Sequence, residues 1–254
     1  MFAALRRHPF AVNAFFRRSL VLTFAYPQEM LQPLLPRGLV VDSHAGCGFV
    51  AIALVQTERL RPAGFPAWLG RDFFLAGYRI FSRFRRRDGT VLRGLRILRS
   101  DADRRFMVAA GNLFTRYCYR ACAVRCTHDD TALAYDITTA DGAGDLSVRV
   151  RLDRAVDAPP PGSPFEDLKT ARRFAGPLPH TFADDPAKAG IVVVKGVRED
   201  WTPVPVHVES VRSTFLHQPP FAAMPPRLAN AFMVENIPYR WQRGVLEPLP
   251  DEAR

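Results

Sequence analysis

The stretch from Ser19 to Val55 constrains the fold more than any other part of this chain. It reads SLVLTFAY, PQEMLQPLLPRG, LVVDSHAGCG and FVAIALV in succession. An apolar β-rich run leads into one short helix, which Pro36 and Gly38 cut off, and two further β-rich runs follow. The 22 prolines argue against long helices and for a loop-rich, β-dominated chain. Hydrophobic content of 48% and charged content of 24% are those of an ordinary soluble globular protein, and 254 residues can bury one large core. The expected fold class is α+β with mostly antiparallel strands. The expected organisation is one domain over residues 1–254, with an N-terminal arm at 1–18 and a helical insertion at 156–176.

Charge narrows the partners. The net charge is +10 and only Lys169, Lys188 and Lys195 are lysines, so 32 of the 35 basic side chains are arginine. The arginines are spread along the chain without an RNP, zinc-finger or helix-turn-helix pattern, so nucleic acid is not an expected partner. No uninterrupted apolar run approaches the roughly 20 residues of a transmembrane helix. The first nineteen residues, MFAALRRHPFAVNAFFRRS, mix arginine with phenylalanine. Two readings stay open for them: a membrane-surface or targeting segment, and an arm that packs its phenylalanines on the body.

Cysteine usage points to a reducing, cytoplasmic setting rather than to a disulfide scaffold. Cys118, Cys122 and Cys126 are four apart with His128 close behind. This spacing lacks the separated ligand pairs of a zinc site, so the three are read as small buried apolar residues and no metal is expected.

Further along, YRIFSRFRR and TVLRGLRIL flank Asp88-Gly89, a hairpin signal. Alternation puts Arg79, Phe81, Arg83 and Arg85 on one face, either exposed or lining a polar cavity. RRFMVAA (104–110) reads as a strand, NLFTRYCYRACAV as helix or strand, and TALAYDITT and DLSVRVRLD as strands. Ser163, Pro164 and Glu166 form a capping-box pattern for a helix running to Ala175, with Gly176 and Pro177 as terminators. GIVVVKGV, VPVHVES and RSTFLH read as strands, and PPRLANAF as a short helix.

Chemistry is bounded by elimination. There is no Gly-x-Ser-x-Gly elbow, metalloprotease histidine pair, phosphate loop or dinucleotide fingerprint. Asp101, Asp103, Asp129, Asp130, Asp184 and Asp185 read as turn formers. Lys195 lies in an apolar strand beside Ile191 and Val193, which leaves two readings open, a desolvated amine and a strand-end residue reaching water. No cofactor is implied.

LTFAYPQEMLQPLLPRGLVVD with FVAIALV, then GYRIFSR…DG…GLRIL, then GNLFTRYCYRA, resemble the acetoacetate-decarboxylase-like superfamily, and most closely its YqjF-like branch. ARRFAGPLPHTF, VVVKGVREDWTP and LANAFMVENIPYRW continue the likeness across nearly the whole chain. The resemblance implies a curved antiparallel sheet, a cone-shaped barrel with a few peripheral helices and a central cavity. In the decarboxylases a lysine pair forms and tunes a Schiff base with a keto acid. Here that pair falls near Tyr119 and Arg120, so imine-forming decarboxylation is not expected.

With the lysines gone, the implied cavity contains arginine and tyrosine. Arg79, Arg96, Arg116, Tyr117, Tyr119 and Arg120 are expected at it, with Glu235, Tyr239 and Arg240 as secondary candidates. Tyr119 as proton donor and Arg116 as anion holder are the expected catalytic pair. The expected partner is a small organic anion, transformed or merely bound. A membrane surface engaged by the N-terminus is the third reading, and a homo-oligomer is compatible with all three.

Overall fold

Leu20, Leu22 and Phe24 alternate with Ser19, Val21 and Thr23 along β1 (Val12–Pro27), and this alternation divides the structure into an inside and an outside. The computed structural model describes residues 2–176 and 178–249. The other strands are β2 (Leu39–Val41), β3 (Cys47–Pro62), β4 (Arg71–Arg85), β5 (Val91–Ala102), β6 (Tyr119–His128) and β7 (Ala132–Thr139). Then come β8 (Leu146–Arg151), β9 (His180–Asp185), β10 (Gly190–Arg198), β11 (Val204–Pro205), β12 (His207–Ser213), β13 (Arg227–Trp241) and β14 (Val245–Pro248). The α-helical segments are α1 (Phe2–Leu5), α2 (Gln28–Leu31), α3 (Arg105–Phe114) and α4 (Leu168–Ala175).

Pairing runs β13–β1–β3–β4–β5–β9–β10 and returns to β13, so seven strands close on themselves. All these pairings are antiparallel except the short β5–β9 contact. Closure leaves these strands no free edge over their paired lengths. A second sheet, β6–β7–β8–β12, branches from β5 where Ser100–Ala102 pair in parallel with Tyr119–Ala121. Its Leu133, Tyr135, Ile137, Leu146, Val148 and Val150 pack on the outward Leu20, Leu22, Phe24, Ile52 and Phe74 of the barrel. Phe74 and Tyr135 meet with ring centroids 5.2 Å apart. Each fully buried apolar side chain of this layer contributes about 1.5–3 kcal/mol.

One end of the barrel is plugged. Phe165 stacks on Phe49 at 5.1 Å, and Phe174 of α4 packs on Phe49 and Phe81. Ala171 and Ala175 let the helix approach closely. The other end is crossed by residues 2–11. His8 N donates to the Phe114 carbonyl at 2.9 Å, Gly244 N to the His8 carbonyl at 2.8 Å, and Phe10 meets Phe114 edge-on at 5.1 Å.

Several local expectations are corrected. The arm is shorter than 1–18, because β1 begins at Val12 and carries Arg17 and Arg18 to Glu58 and Glu235. Residues 105–110 are helix rather than strand, and 112–114, open between the two, continue it: the parallel β5–β6 pairing requires a crossover, and α3 supplies it while burying Met107 and Gly111 one turn apart. RLANAF belongs to β13, whose hydrogen bonds come from β1 more than two hundred residues away. Phe215–His217 of RSTFLH form a 3-10 turn.

The insertion helix starts at Leu168, capped by Asp167, whose carboxylate accepts from Thr170 N at 2.6 Å. Ser163 instead donates to the Ala229 carbonyl at 2.7 Å. Pro177, expected to end this helix, lies outside the described residues. Cys118 and Cys126 are exposed and Cys122 half-buried, against the expectation of three buried thiols. Asp101 and Asp185 are not turn formers but fully buried strand residues.

Candidate functional site

Between the plug and the arm the barrel interior holds a cavity of about 330 Å³. Inward-facing residues of β1, β3, β4, β5, β10 and β13 form its wall, and α3 and the arm cover it. Arg79 enters from β4. Its side chain folds back over Gly77, where a β-carbon would lie 2.8 Å from Nη2 and 2.9 Å from Nε. Arg198 enters from β10, in register with the inward Val192 and Val194. Its guanidinium lies 4.4 Å over the Trp201 ring and 5.8 Å from that of Tyr239. Tyr239 stacks between Phe16 and Trp241, with centroids 4.5 Å from each. Its hydroxyl fills the space that a β-carbon on Gly196 would take, 2.0 Å from that carbon. Tyr117 hydrogen-bonds Thr181 through its hydroxyl at 2.7 Å, and the Tyr119 ring lies against Gly111.

The electrostatics are one-sided. Among the described residues no aspartate or glutamate lines the cavity. Burial pushes the pKa of Arg79 down, with Tyr239, Tyr119 and Tyr117 partly offsetting it and Arg198 adding to it. Burial likewise lowers Arg198, with Tyr239 offsetting. Arg79 Nε is buried with no hydrogen-bond partner. Arginine does not give up its proton, so the two half-buried guanidinium groups keep their positive charge at the cavity. Burial pushes Tyr117 up to about 12 and raises Tyr119 further, so both phenols stay protonated donors at neutral pH. Lys169, Lys188 and Lys195 are all exposed, and none lines the cavity. Lys195 takes the strand-end position reaching water.

Of the expected site residues, the barrel brings Arg79, Tyr117, Tyr119 and Tyr239 together. The others go elsewhere, and Arg96, Arg116 and Arg120 do so toward a nearby carboxylate. Arg96 pairs with Asp184 at 2.7 Å, and Arg116 approaches Asp185 at 3.6 Å, which Arg7 also binds at 2.5 Å. Arg120 pairs with Asp141 on the surface, and Glu235 with Arg18 at 2.7 Å. Arg240 is exposed in a shallow groove behind the cavity wall. Arg116 is therefore not the cavity's anion holder in this geometry. Arg198 is the residue sequence reasoning missed. Its signal was the alternation Val192, Val194, Gly196, Arg198 on the face of β10 opposite Lys195.

Comparison with known proteins agrees with this architecture. The family profile described as "Uncharacterized conserved protein (COG2071)" matches residues 14–237. The chain belongs to the DUF2071 family. No curated protein matches this DUF2071 chain in sequence. Among solved structures, it is similar to the acetoacetate decarboxylase of Legionella pneumophila, at 10% identity and a TM-score of 0.62 over 94% of this chain and 87% of that one. It is similar to the enduracididine biosynthesis enzyme MppR complexed with pyruvate, at 12% identity and 0.61 over 94% and 90%. An acetoacetate decarboxylase-like enzyme from Sphingomonas wittichii RW1 matches at 15% and 0.54 over 93% and 91%. At these identities the likeness establishes the fold: a mostly antiparallel, acetoacetate-decarboxylase-like curved sheet. Among the described residues no helix is long and apolar enough to cross a membrane.

Proposed function

We propose that this protein binds a small organic acid in the arginine- and tyrosine-lined cavity and acts on it without forming an imine. The observation that carries the reading is Arg79, whose buried Nε has no hydrogen-bond partner and beside which no carboxylate stands among the described residues, converging with Arg198 and three phenols. A carboxylate seated there would accept from both guanidinium groups and relieve their desolvation. Tyr119 is the proton donor of this reading, since its phenol lines the cavity near Arg79. Arg79 and Arg198 take the anion-holding role first expected of Arg116.

Thermal-shift and calorimetric screening with carboxylates, paired with product analysis, tests the reading. Binding that weakens by about tenfold or more in Arg79→Met supports it, because a charge-assisted bidentate contact is worth at least that. Equal affinity in wild type and Arg79→Met defeats it. Stabilisation without turnover, or turnover unchanged in Tyr119→Phe, removes the catalytic half and leaves a binding module. The YqjF-like placement belongs to this proposal, supported by the LANAFMVENIPYRW run that supplies Tyr239. So does a cytoplasmic setting, supported by four unpaired cysteines. Arg7, Arg17 and Arg18 engage Asp185, Glu58 and Glu235, which favours the packed-arm reading of the N-terminus over a membrane surface.

A further inference from the structure

Resting on that reading, the cavity's remaining walls narrow the class of acid. Arg79, Arg198 and the phenols gather on β4, β10, β13 and residues 117–119, where β6 begins. Beyond Arg79 on β4 the lining turns apolar. Phe73 and Met107 pack together with Leu60 and Leu75, and Tyr119 borders this cluster. Phe106 and Phe114 of α3 and Phe10 of the arm continue the wall outward, and Phe10 and Phe106 are also exposed to solvent. The apolar wall is therefore the one that reaches the surface, between the arm and α3.

His8, Arg61 and the two hydroxyls of Thr57 and Thr115 interrupt that wall. His8 is buried, and its pKa is lowered by burial, so it presents a neutral ring. Arg61 is occupied by the backbone carbonyls of Phe65 at 2.9 Å and Arg59 at 2.8 Å. Size agrees with shape. A dry cavity of about 150 Å³ holds one benzene, so this one holds on the order of a dozen heavy atoms, more than a three- or four-carbon acid fills.

We infer that the ligand is an amphipathic monocarboxylic acid, medium-chain aliphatic or arylalkyl, whose carboxylate meets Arg79 and Arg198 while its hydrocarbon tail lies against Phe73, Met107 and Phe106. The acid enters head first. Its tail points back toward the mouth, where Phe10 and Phe106 take it from water. Water left on a hydrocarbon wall gains nothing from polar partners, so an apolar tail displaces it favourably.

Calorimetric titration of the full chain with acetate, pyruvate, octanoate, 3-phenylpropionate and 1-octanol tests this. Burial of each methylene strengthens binding about fourfold. Octanoate and 3-phenylpropionate are expected to bind at least about a hundredfold more tightly than acetate or pyruvate, even with the tail only partly enclosed. Octanol, which lacks the head group, is expected to bind far more weakly than octanoate. Arg79→Met should remove the preference for octanoate over octanol. Ala110→Leu, placed on the apolar wall, should weaken octanoate and leave acetate unchanged.

Acetate or pyruvate binding as tightly as octanoate, with both lost in Arg79→Met, overturns the inference about the tail and keeps the anion site. Binding of octanol equal to octanoate, or no effect of Arg79→Met on any acid, overturns the anion site as well. Circular dichroism and melting of each variant confirm that the fold is intact before affinities are compared.

Discussion

The guanidinium of Arg79 occupies the space that any side chain at residue 77 would need, with Nη2 only 2.8 Å from the position of a β-carbon there. A glycine two residues earlier on the same strand face thus sets the direction of the cavity's central cation. Gly77→Ala should turn Arg79 away and lower carboxylate affinity by about tenfold, comparable to loss of one charge-assisted contact, with an unchanged far-ultraviolet spectrum. Calorimetry on the variant checks it. Unchanged affinity would show that Arg79 has another route to the ligand.

Arg79 is a cost to the empty protein. It is a buried charge whose neighbours are phenols and another arginine. Arg79→Met keeps an unbranched flexible stem and removes the charge, and should raise unfolding free energy by about 1–3 kcal/mol while abolishing anion binding. Urea denaturation of ligand-free wild type and variant measures this directly. A variant less stable than wild type would indicate that Arg79 is well paired without ligand.

Arg99 is the opposite case, a buried arginine with full partners. Its Nε lies 2.8 Å from Asp101 and its Nη2 2.9 Å from Asp141, while Tyr78 Oη donates to the Gly144 carbonyl at 2.9 Å. These bonds pin the β7–β8 turn of the second sheet to the barrel. Arg99→Met leaves the fully buried Asp101 uncompensated and should cost about 3–5 kcal/mol. The double variant Arg99→Met/Asp101→Leu should recover part of that loss. Denaturation midpoints of the three proteins decide between a structural and a neutral role.

The phenols set the alkaline limit. Burial raises the pKa of Tyr78, Tyr119 and Tyr135, and pushes Tyr26 and Tyr117 up to about 12. Below pH 10 these groups are neutral in both folded and unfolded chains. Between pH 10 and about 12 the unfolded chain releases protons that the folded chain keeps, so stability falls as pH rises through that window. Phenolate absorbance should therefore develop together with loss of tertiary circular dichroism. Ionisation of these five phenols in the still-folded protein near pH 10 would contradict the burial argument.

The lysines give a negative control. Because Lys169, Lys188 and Lys195 are exposed and lie off the cavity wall, borohydride treatment with a keto acid should leave no adduct that depends on an intact cavity. Mass spectrometry of the treated protein reads the result. A specific adduct at Lys195, lost in Arg79→Met, would return imine chemistry to this site.

Much of the architecture was legible because it rests on local rules. The Asp88-Gly89 hairpin formed as its turn chemistry required, with Gly89 at φ +85° and the Asp88 carboxylate accepting from Thr90 N at 2.8 Å. The alternation on β4 correctly paired Arg79 with Phe81 on one face. It could not say that Phe81 would meet the helical plug, that Arg79 would reach a cavity, or that Arg83 would lean on Asp42 at the rim, at 3.3 Å. Residues 105–110 failed as a strand for a related reason: the crossover they belong to is demanded by a parallel pairing that no local pattern announces.

The sequence alone determined strand periodicity, turn positions, the scarcity of lysine and its absence before Lys169. Only the tertiary structure decided which arginines remain charged and unpaired. Arg96, Arg116 and Arg120 were taken up by Asp184, Asp185 and Asp141, whereas among the described residues Arg79 met no carboxylate and Arg198 met the Trp201 ring and the Tyr239 ring and hydroxyl. Ion pairing acts over a few ångströms in space, between strands brought together by barrel closure, and no spacing along the chain encodes which carboxylate arrives beside which guanidinium.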